Sequence, residues 1–445
     1  MASQNTSNNY RIPFIALTSL FFMWGFITVI VDAFVPRLRE VFELSFTQAG
    51  LVQFAWFTAY LLISIPAGYL VSRLSYKKGI IIGLAIAGLG CLLFIPAAST
   101  RLFPFFLLAL FTLASGITIL QVAANPFVSV LGPEEQASSR LNLAQAFNSL
   151  GTTIAPVFAA TYLLSDNIKT SGQIEKLSEA AKESYFLSEA SAVQSPFLYI
   201  ALFLFVLATA FAFIKLPNIL SNDNDKTYSD ALSFKNLRLG IIAIFVYVGA
   251  EVSIGSYLVD YFVSMDMDKL IPQNSFMRNI ASFLSSTFSG KELSEINPKG
   301  IVGTFVLFYW GGAMVGRFIG SFLTRVFNPG KILALFTLSA VTLLFLTMFT
   351  DKFIAMWTVL GIGLFNSIMF PTIFTLSIDG LGDAKPQGSG LLCTAIFGGA
   401  IIPPLFGFMT DSFGFKIAFI VPIVCYLYIC FYGWSSSKLF DKATT

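Results

Sequence analysis

Apolar runs recur along the chain at nearly regular intervals, broken by short polar turns. They lie near 12–35, 46–71, 79–98, 103–131, 141–164, 196–214, 239–263, 300–324, 332–350, 353–378, 388–410 and 416–434. A helix of about 20 apolar residues matches the hydrocarbon core of a bilayer, so the pattern predicts twelve membrane-spanning helices. An even number places both chain ends on one side. A polar stretch from Pro217 to Leu237, containing SNDNDK, separates the sixth run from the seventh. It divides the chain into an N-terminal six-helix bundle over 1–214, a connector over 215–238 that reads as flexible, and a C-terminal six-helix bundle over 239–445. Two longer stretches, 165–195 and 264–299, face away from the connector and carry mixed charge; GQIEKLSEAAKES in the first suggests a short surface helix.

The two halves repeat each other. Gly68 to Leu74 reads GYLVSRL and Gly320 to Val326 reads GSFLTRV, 252 positions later. In each, a Gly stands five residues before an Arg (Arg73, Arg325), with Ser or Thr just ahead of the Arg. Gly116 and Pro126 of the fourth run match Gly361 and Pro371 of the tenth, and Gln121 and Asn366 each stand five residues before that Pro. Gly151 and Pro156 of the fifth run match Gly399 and Pro404 of the eleventh. Matched Gly and Pro in two halves mark bent or broken helices, where carriers build central sites; ordinary close packing through small residues is the plainer reading of any single pair. The duplication moves the question from which reaction is catalysed to what crosses the membrane.

Composition agrees. The hydrophobic fraction is 56%, the charged fraction 11% and the mean hydropathy +0.77, against about a quarter charged in an ordinary soluble domain. There is no His, and the four Cys lie inside apolar runs with no metal-ligand spacing. No nucleotide-binding loop, basic patch or paired catalytic groups stand out, so the chain reads as neither an enzyme nor a nucleic-acid binder, with no metal and no cofactor beyond a co-transported H+ or Na+. Met1 to Asn9 is polar and uncharged, unlike the basic start of a cleaved signal. Basic residues orient the spans. With both termini cytoplasmic, the cytoplasmic segments hold 14 Lys and Arg against 12 in the outer ones, of which five lie in the short loops and seven in the two longer stretches, where the rule acts less.

A few polar residues remain inside the runs. Asp32 stands well into the first, in FFMWGFITVIVDAFVP. A charged Asp at mid-helix costs about 2.5–3.5 kcal/mol on insertion scales, so water, a partner or a proton must offset it. Asp32 is the candidate for cation coupling; the alternative is a shallow position near Arg37 and Arg39. Gln121 and Asn125 in LQVAANP lie four apart, and Asn142, Gln145 and Asn148 in NLAQAFN lie three apart, each set on one helix face. Amides donate and accept, which suits a hydroxyl-rich ligand; bonds between helices are the alternative. Gln121, Asn125, Gln145 and Asn148 are therefore candidate ligand contacts, with Asn366 from the matched position. Glu251 in YVGAEVSIGS is the deepest acid of the second half. It could bind substrate or couple ions, or it could pair with Arg317, which lies inside the eighth run. Arg73 and Arg325 are candidate gating residues, since an Arg at a helix end can pair across the halves in only one state.

The loop GYLVSRLSYKKG resembles the signature loop of the major facilitator superfamily, with Ser72 where the common pattern has Asp. The ordered segments LQVAANPFVSVLGPE, RLNLAQAFNSLG, YVGAEVSIGSYL and FPTIFTLSIDGLG resemble the fucose–proton symporter family within it, over essentially the whole chain. The resemblance implies a twelve-helix all-α membrane protein of two pseudo-symmetric bundles, in the plasma membrane (a bacterial inner membrane), working as a monomer. It also implies proton coupling through the first-span acid, whose place Asp32 occupies. The fucose carriers have Glu where this chain has Gln121, and LQVAANP is closer to their glucose/galactose branch. The expected cargo is a neutral hexose, glucose or galactose, imported with a proton. L-fucose, N-acetylglucosamine, sodium coupling and a non-transporting sugar sensor are the alternatives. On this expectation, Asp32→Asn abolishes concentrative uptake in proteoliposomes while exchange can persist. Full accumulation by the variant removes Asp32 from the mechanism.

Overall fold

The computed structural model describes residues 10–41, 46–100, 102–162, 177–220, 226–288, 292–293 and 296–444. Twelve long helical stretches follow in order: α1 (Arg11–Val41), α2 (Phe46–Leu74), α3 (Tyr76–Thr100), α4 (Phe103–Val130), α5 (Ala137–Tyr162), α6 (Glu179–Phe213), α7 (Lys235–Ser264), α8 (Pro298–Thr304 and Val306–Val326), α9 (Pro329–Phe349), α10 (Lys352–Asn366 and Met369–Ile378), α11 (Lys385–Thr394 and Gly398–Phe413) and α12 (Ile420–Thr444). Among the described residues, eleven stretches are long and apolar enough to cross a membrane. The twelfth, α5, has 26 residues and is more polar, because the amides at 142, 145 and 148 and several hydroxyls lie along it. Large apolar side chains such as Phe213 and Phe349 stand exposed on the outside, as a surface bathed in lipid tails permits.

Glycines set the close crossings. A Cβ at Gly151 on α5 would collide with the Phe22 carbonyl of α1, and one at Gly25 would meet Asn148 of α5. Gly116 on α4 lies against α3, where a Cβ would meet Ala87; its counterpart Gly361 on α10 faces Leu343 of α9. Gly399 on α11 lies first against the Phe57 ring of α2, in the other half, and then beside Val248 of α7. The helices still pack alike in both halves, the fourth on the third and the fifth on the first.

Helix ends are satisfied from within. Arg140, in the first turn of α5, donates from its guanidinium to the carbonyls of Val128 (3.3 Å), Ser129 (2.5 Å) and Pro133 (2.8 Å) at the end of α4. Asn328 caps α9 by accepting from the Gly330 and Lys331 amides at 2.9 and 3.3 Å, with Pro329 at the first helical position.

Two expectations change. The described part of the connector is not all flexible: Tyr228–Ser233 forms a short helix closed by a capping box between Thr227 and Asp230. Those bonds from Thr227 hold the exposed Asp230 carboxyl below its ordinary pKa. The Tyr228 hydroxyl donates to the Ile65 carbonyl of α2, and the Gln387 amide of α11 donates to the Lys226 carbonyl at 2.6 Å. The second concerns the outer stretch before the sixth span. From Glu179 onward it does not form a separate surface helix; it runs unbroken into α6, which reaches 35 residues behind its Ser178 cap.

Gly151→Ala tests the crossing of α1 and α5. Overpacking of this kind costs about 1–3 kcal/mol, so the purified variant should melt earlier in detergent than the wild type. An unchanged melting temperature would mean that the two helices do not approach through that glycine.

Candidate functional site

The site is organised by prolines in the middle of spans. Pro126 has no N–H to give the carbonyl four residues earlier, that of Val122. Ser389 of α11, in the other half, donates its hydroxyl there at 2.9 Å. Pro371 likewise frees the carbonyl of Ser367, where α10 is broken, and Arg317 Nε donates to it at 3.1 Å. Without water, a freed carbonyl must find a donor inside the protein. Each matched proline therefore becomes a docking point for a side chain from another helix.

The amides fall into two sets, one per half. On the first side, Gln121 Nε2 donates to Tyr60 Oη of α2 at 2.5 Å, and Gln145 Nε2 to Asn125 Oδ1 at 3.4 Å. Asn148 Nδ2 donates to the Phe21 carbonyl of α1 at 2.9 Å. Asn125 and Gln145 thus meet between α4 and α5, while Gln121 is held from α2 and Asn148 reaches α1. Asn125 Nδ2 is buried without a partner, so donor capacity remains. On the second side, Asn366 Nδ2 donates to Tyr309 Oη of α8 at 2.7 Å, leaving Asn366 Oδ1 buried and short of full hydrogen-bond geometry. Tyr60 with Gln121 and Tyr309 with Asn366 are the same arrangement twice, a second-helix tyrosine holding a fourth-helix amide five residues ahead of a proline. Asn142 lies nearer the connector and donates to Thr372 Oγ1 at 3.1 Å, an interhelical role.

Glu251 is partly exposed on α7. Tyr247, one turn earlier, lies beside its carboxyl, with its hydroxyl buried and short of full hydrogen-bond geometry. The Arg317 charge is felt at Glu251, yet no ion pair joins them: the guanidinium instead donates to Ser149 of α5 and to the Ser367 carbonyl. Asp32 lies on α1, but its side chain falls outside the described residues. Arg73 is exposed at the end of α2 with its guanidinium over the Tyr69 ring at 5.6 Å, and Arg325 is exposed at the end of α8. Among the described residues, Glu134 and Lys385 form an ion pair across the halves at 2.9 Å.

These crossings lie toward the end that carries the connector. Ser138 and Thr375 share a hydrogen bond at 2.6 Å. Ser139 donates to the Ser321 carbonyl at 2.7 Å while Ser321 donates back to the Ser139 carbonyl at 3.0 Å. Asn142 to Thr372 and then Arg317 to Ser149 continue the crossings along α5. From Ala137 to Ser149 a helix rises about 18 Å, over half the hydrocarbon thickness. Beyond it Thr153 donates within α5 to the Ser149 carbonyl at 2.8 Å and reaches Met314 Sδ of the other half at 3.6 Å. The chain is shut at its connector end. The sequence did not single out Tyr60, Tyr309, Ser149 or the hydroxyl seal; adjacent Ser138 and Ser139 at the mouth of an apolar run were the available signal.

Residues 14–397 match the family model described as Major Facilitator Superfamily. The chain is 50% identical to the "Glucose/galactose transporter" of Brucella abortus biovar 1 (strain 9-941) over 438 residues, covering 98% of this chain and 96% of that one. It is 36% identical to the "L-fucose-proton symporter" of Escherichia coli (strain K12), covering 95% and 92%. Among solved structures, a crystal structure of the major facilitator transporter FucP in the outward conformation superposes with a TM-score of 0.84 at 34% identity, covering 96% of this chain and 99% of that one.

The reciprocal pair Ser139 and Ser321 gives a direct check on the seal. With both changed to Cys and a protease site placed in the connector, oxidation should keep the two halves together on a gel after cleavage, and reductant should release them. Halves that separate after oxidation would contradict the closed connector end.

Proposed function

Because the chain belongs to the major facilitator superfamily, we propose that it is a secondary carrier importing a neutral hexose, glucose or galactose, together with a proton. The observation that carries the reading is half identity, over nearly the whole chain, to a protein named as a glucose/galactose transporter. The amides of α4 and α5 support it, since hydroxyls of a sugar exchange hydrogen bonds with amides in both directions. In this reading the bundles over 1–214 and 239–445 rock about the central amides, with 215–238 linking them. The basic residues of the connector side favour that side as the cytoplasmic one, and the family likeness supports a bacterial inner membrane and a working monomer. The state shut at the connector end is then the one that receives sugar from outside.

Asp32 is the proposed coupling residue, with Gln121, Asn125, Gln145 and Asn148 as sugar contacts and Asn366 facing them. Arg317 is proposed to gate by crossing to Ser149; Arg73 and Arg325 flank the same end. One proton moved inward across 100 mV supplies about 2.3 kcal/mol. Coupling requires only that sugar and cation together favour the switch between the two states. L-fucose is the second reading, favoured by the relatives named for it.

Uptake of radiolabelled glucose by proteoliposomes tests both points, with proton and sodium gradients imposed separately and cold galactose, fucose or N-acetylglucosamine as competitors. The account expects accumulation under the proton gradient and displacement by galactose. Accumulation under sodium alone would replace the ion, stronger displacement by fucose would replace the sugar, and no uptake of any sugar by folded protein would end the hexose reading.

A further inference from the structure

Within the second half, four polar side chains gather around one acid, the five coming from four helices. Glu251 and Tyr247 come from α7, Tyr309 from α8, Asn366 from α10 and Tyr426 from α12; each tyrosine interacts electrostatically with Glu251. Tyr247, Tyr309, Tyr426 and Asn366 are at most 1% exposed. Tyr247 Oη lies toward the Glu251 carboxyl and Tyr426 Oη toward Asn366, but neither pair reaches full hydrogen-bond geometry. Buried polar atoms so loosely paired are costly, and around one carboxyl they mark a cluster that can still tighten.

Among the described residues, the full positive charge acting on the acid is that of Arg317. Its guanidinium is already held, by the Ser367 carbonyl that Pro371 sets free and by Ser149 of the other half. A carboxylate left ionised at mid-helix costs about 2.5–3.5 kcal/mol on insertion scales. Water, a proton or the guanidinium relieves that cost; Glu251 is only partly exposed to water, and the guanidinium is engaged elsewhere.

We propose that Glu251 is a second proton-carrying group, in the C-terminal half, which exchanges its proton for Arg317 as the carrier switches state. This rests on the reading of the chain as a proton-coupled carrier. While the connector end is shut, Arg317 bridges to Ser149 and Glu251 holds the proton on a carboxyl oxygen. When the halves part there, the bond to Ser149 breaks because it crosses between them. The freed guanidinium turns to Glu251, the O–H bond breaks, and the proton leaves to water on the open side as the carboxylate pairs with Arg317. The atoms balance with water as the proton acceptor. No second partner is needed, because Arg317 and Glu251 belong to the same half and stay together while Ser149 moves away.

Infrared difference spectra of the purified protein across a pH series, together with proton counts, decide the matter. The wild type should show a protonated-carboxyl band that disappears as pH rises, and Glu251→Gln should lack it. On adding saturating glucose in weak buffer, Glu251→Gln should exchange one proton fewer than the wild type. In Arg317→Gln, where no cation competes, the band should persist over the pH range in which the wild-type band vanishes, a result that a purely structural role for Arg317 does not produce. Glu251→Asp serves as the folding control and should restore the band. A wild-type spectrum identical to that of Glu251→Gln, or accumulation of hexose by Glu251→Gln at the wild-type level under a proton gradient, would overturn the proposal. A wild type that transports no sugar but shows the band would refute the hexose reading while leaving the protonation of Glu251 standing.

Discussion

In a lipid interior every backbone N–H and C=O must be satisfied by the protein itself, and the arrangement of this chain follows from how it meets that demand. Prolines at matched places in α4 and α10 each leave one carbonyl open. The Val122 carbonyl is filled by Ser389 from the opposite half and the Ser367 carbonyl by Arg317. The breaks that let helices bend at mid-membrane are thus also the points where other helices attach. Arg317 can lie inside a span because a broken helix presents it with a carbonyl, and it reaches the other half because Ser149 lies opposite.

The contacts between the halves are many and individually weak. Hydrogen bonds between hydroxyls and to carbonyls contribute about 0.5–1.5 kcal/mol each. The Glu134–Lys385 pair contributes less than its 2.9 Å separation suggests, because the Glu134 side chain is 66% exposed. Contacts within each half run backbone against backbone through Gly25, Gly151, Gly116 and Gly363, where a single methyl group would force helices apart; across the halves Gly68 of α2 and Gly390 of α11 approach in the same way. Small hydroxyl bonds, together with that close approach, join two halves that are each more tightly built. The docked connector helix adds to the weak set: Tyr228 reaches α2, and the Gln387 amide of α11 reaches the Lys226 carbonyl.

The fold was legible from the alternation of apolar runs and polar turns, because a membrane imposes one length on every span. The repeat was legible because Gly and Pro cannot be exchanged for other residues without changing the backbone. Gln121, Asn125, Gln145 and Asn148 were legible as polar residues on shared faces, but not what holds them: Tyr60 lies 61 positions from Gln121 and Tyr309 lies 57 from Asn366, and a tyrosine in an apolar run looks like packing. Arg317 was legible as a charge inside a span, a gating or structural candidate and a possible partner of Glu251, but not by the partners it has. Its partners, a hydroxyl on another helix and a carbonyl released by a proline, carry no charge and leave no mark in a charge pattern. The capping box of the connector helix, Thr227 with Asp230, lay inside a segment whose polarity alone suggested flexibility.

Distances at the two ends of the bundle, measured together, bear most directly on the claim that this is a two-half carrier caught shut at its connector end. Spin labels on the exposed positions Leu74 and Phe327 report the connector end, and labels on Leu102 and Ile354 the opposite end. The account predicts that adding glucose at acidic pH lengthens the first distance while shortening the second. Two distances that stay fixed, or that lengthen together, would contradict it.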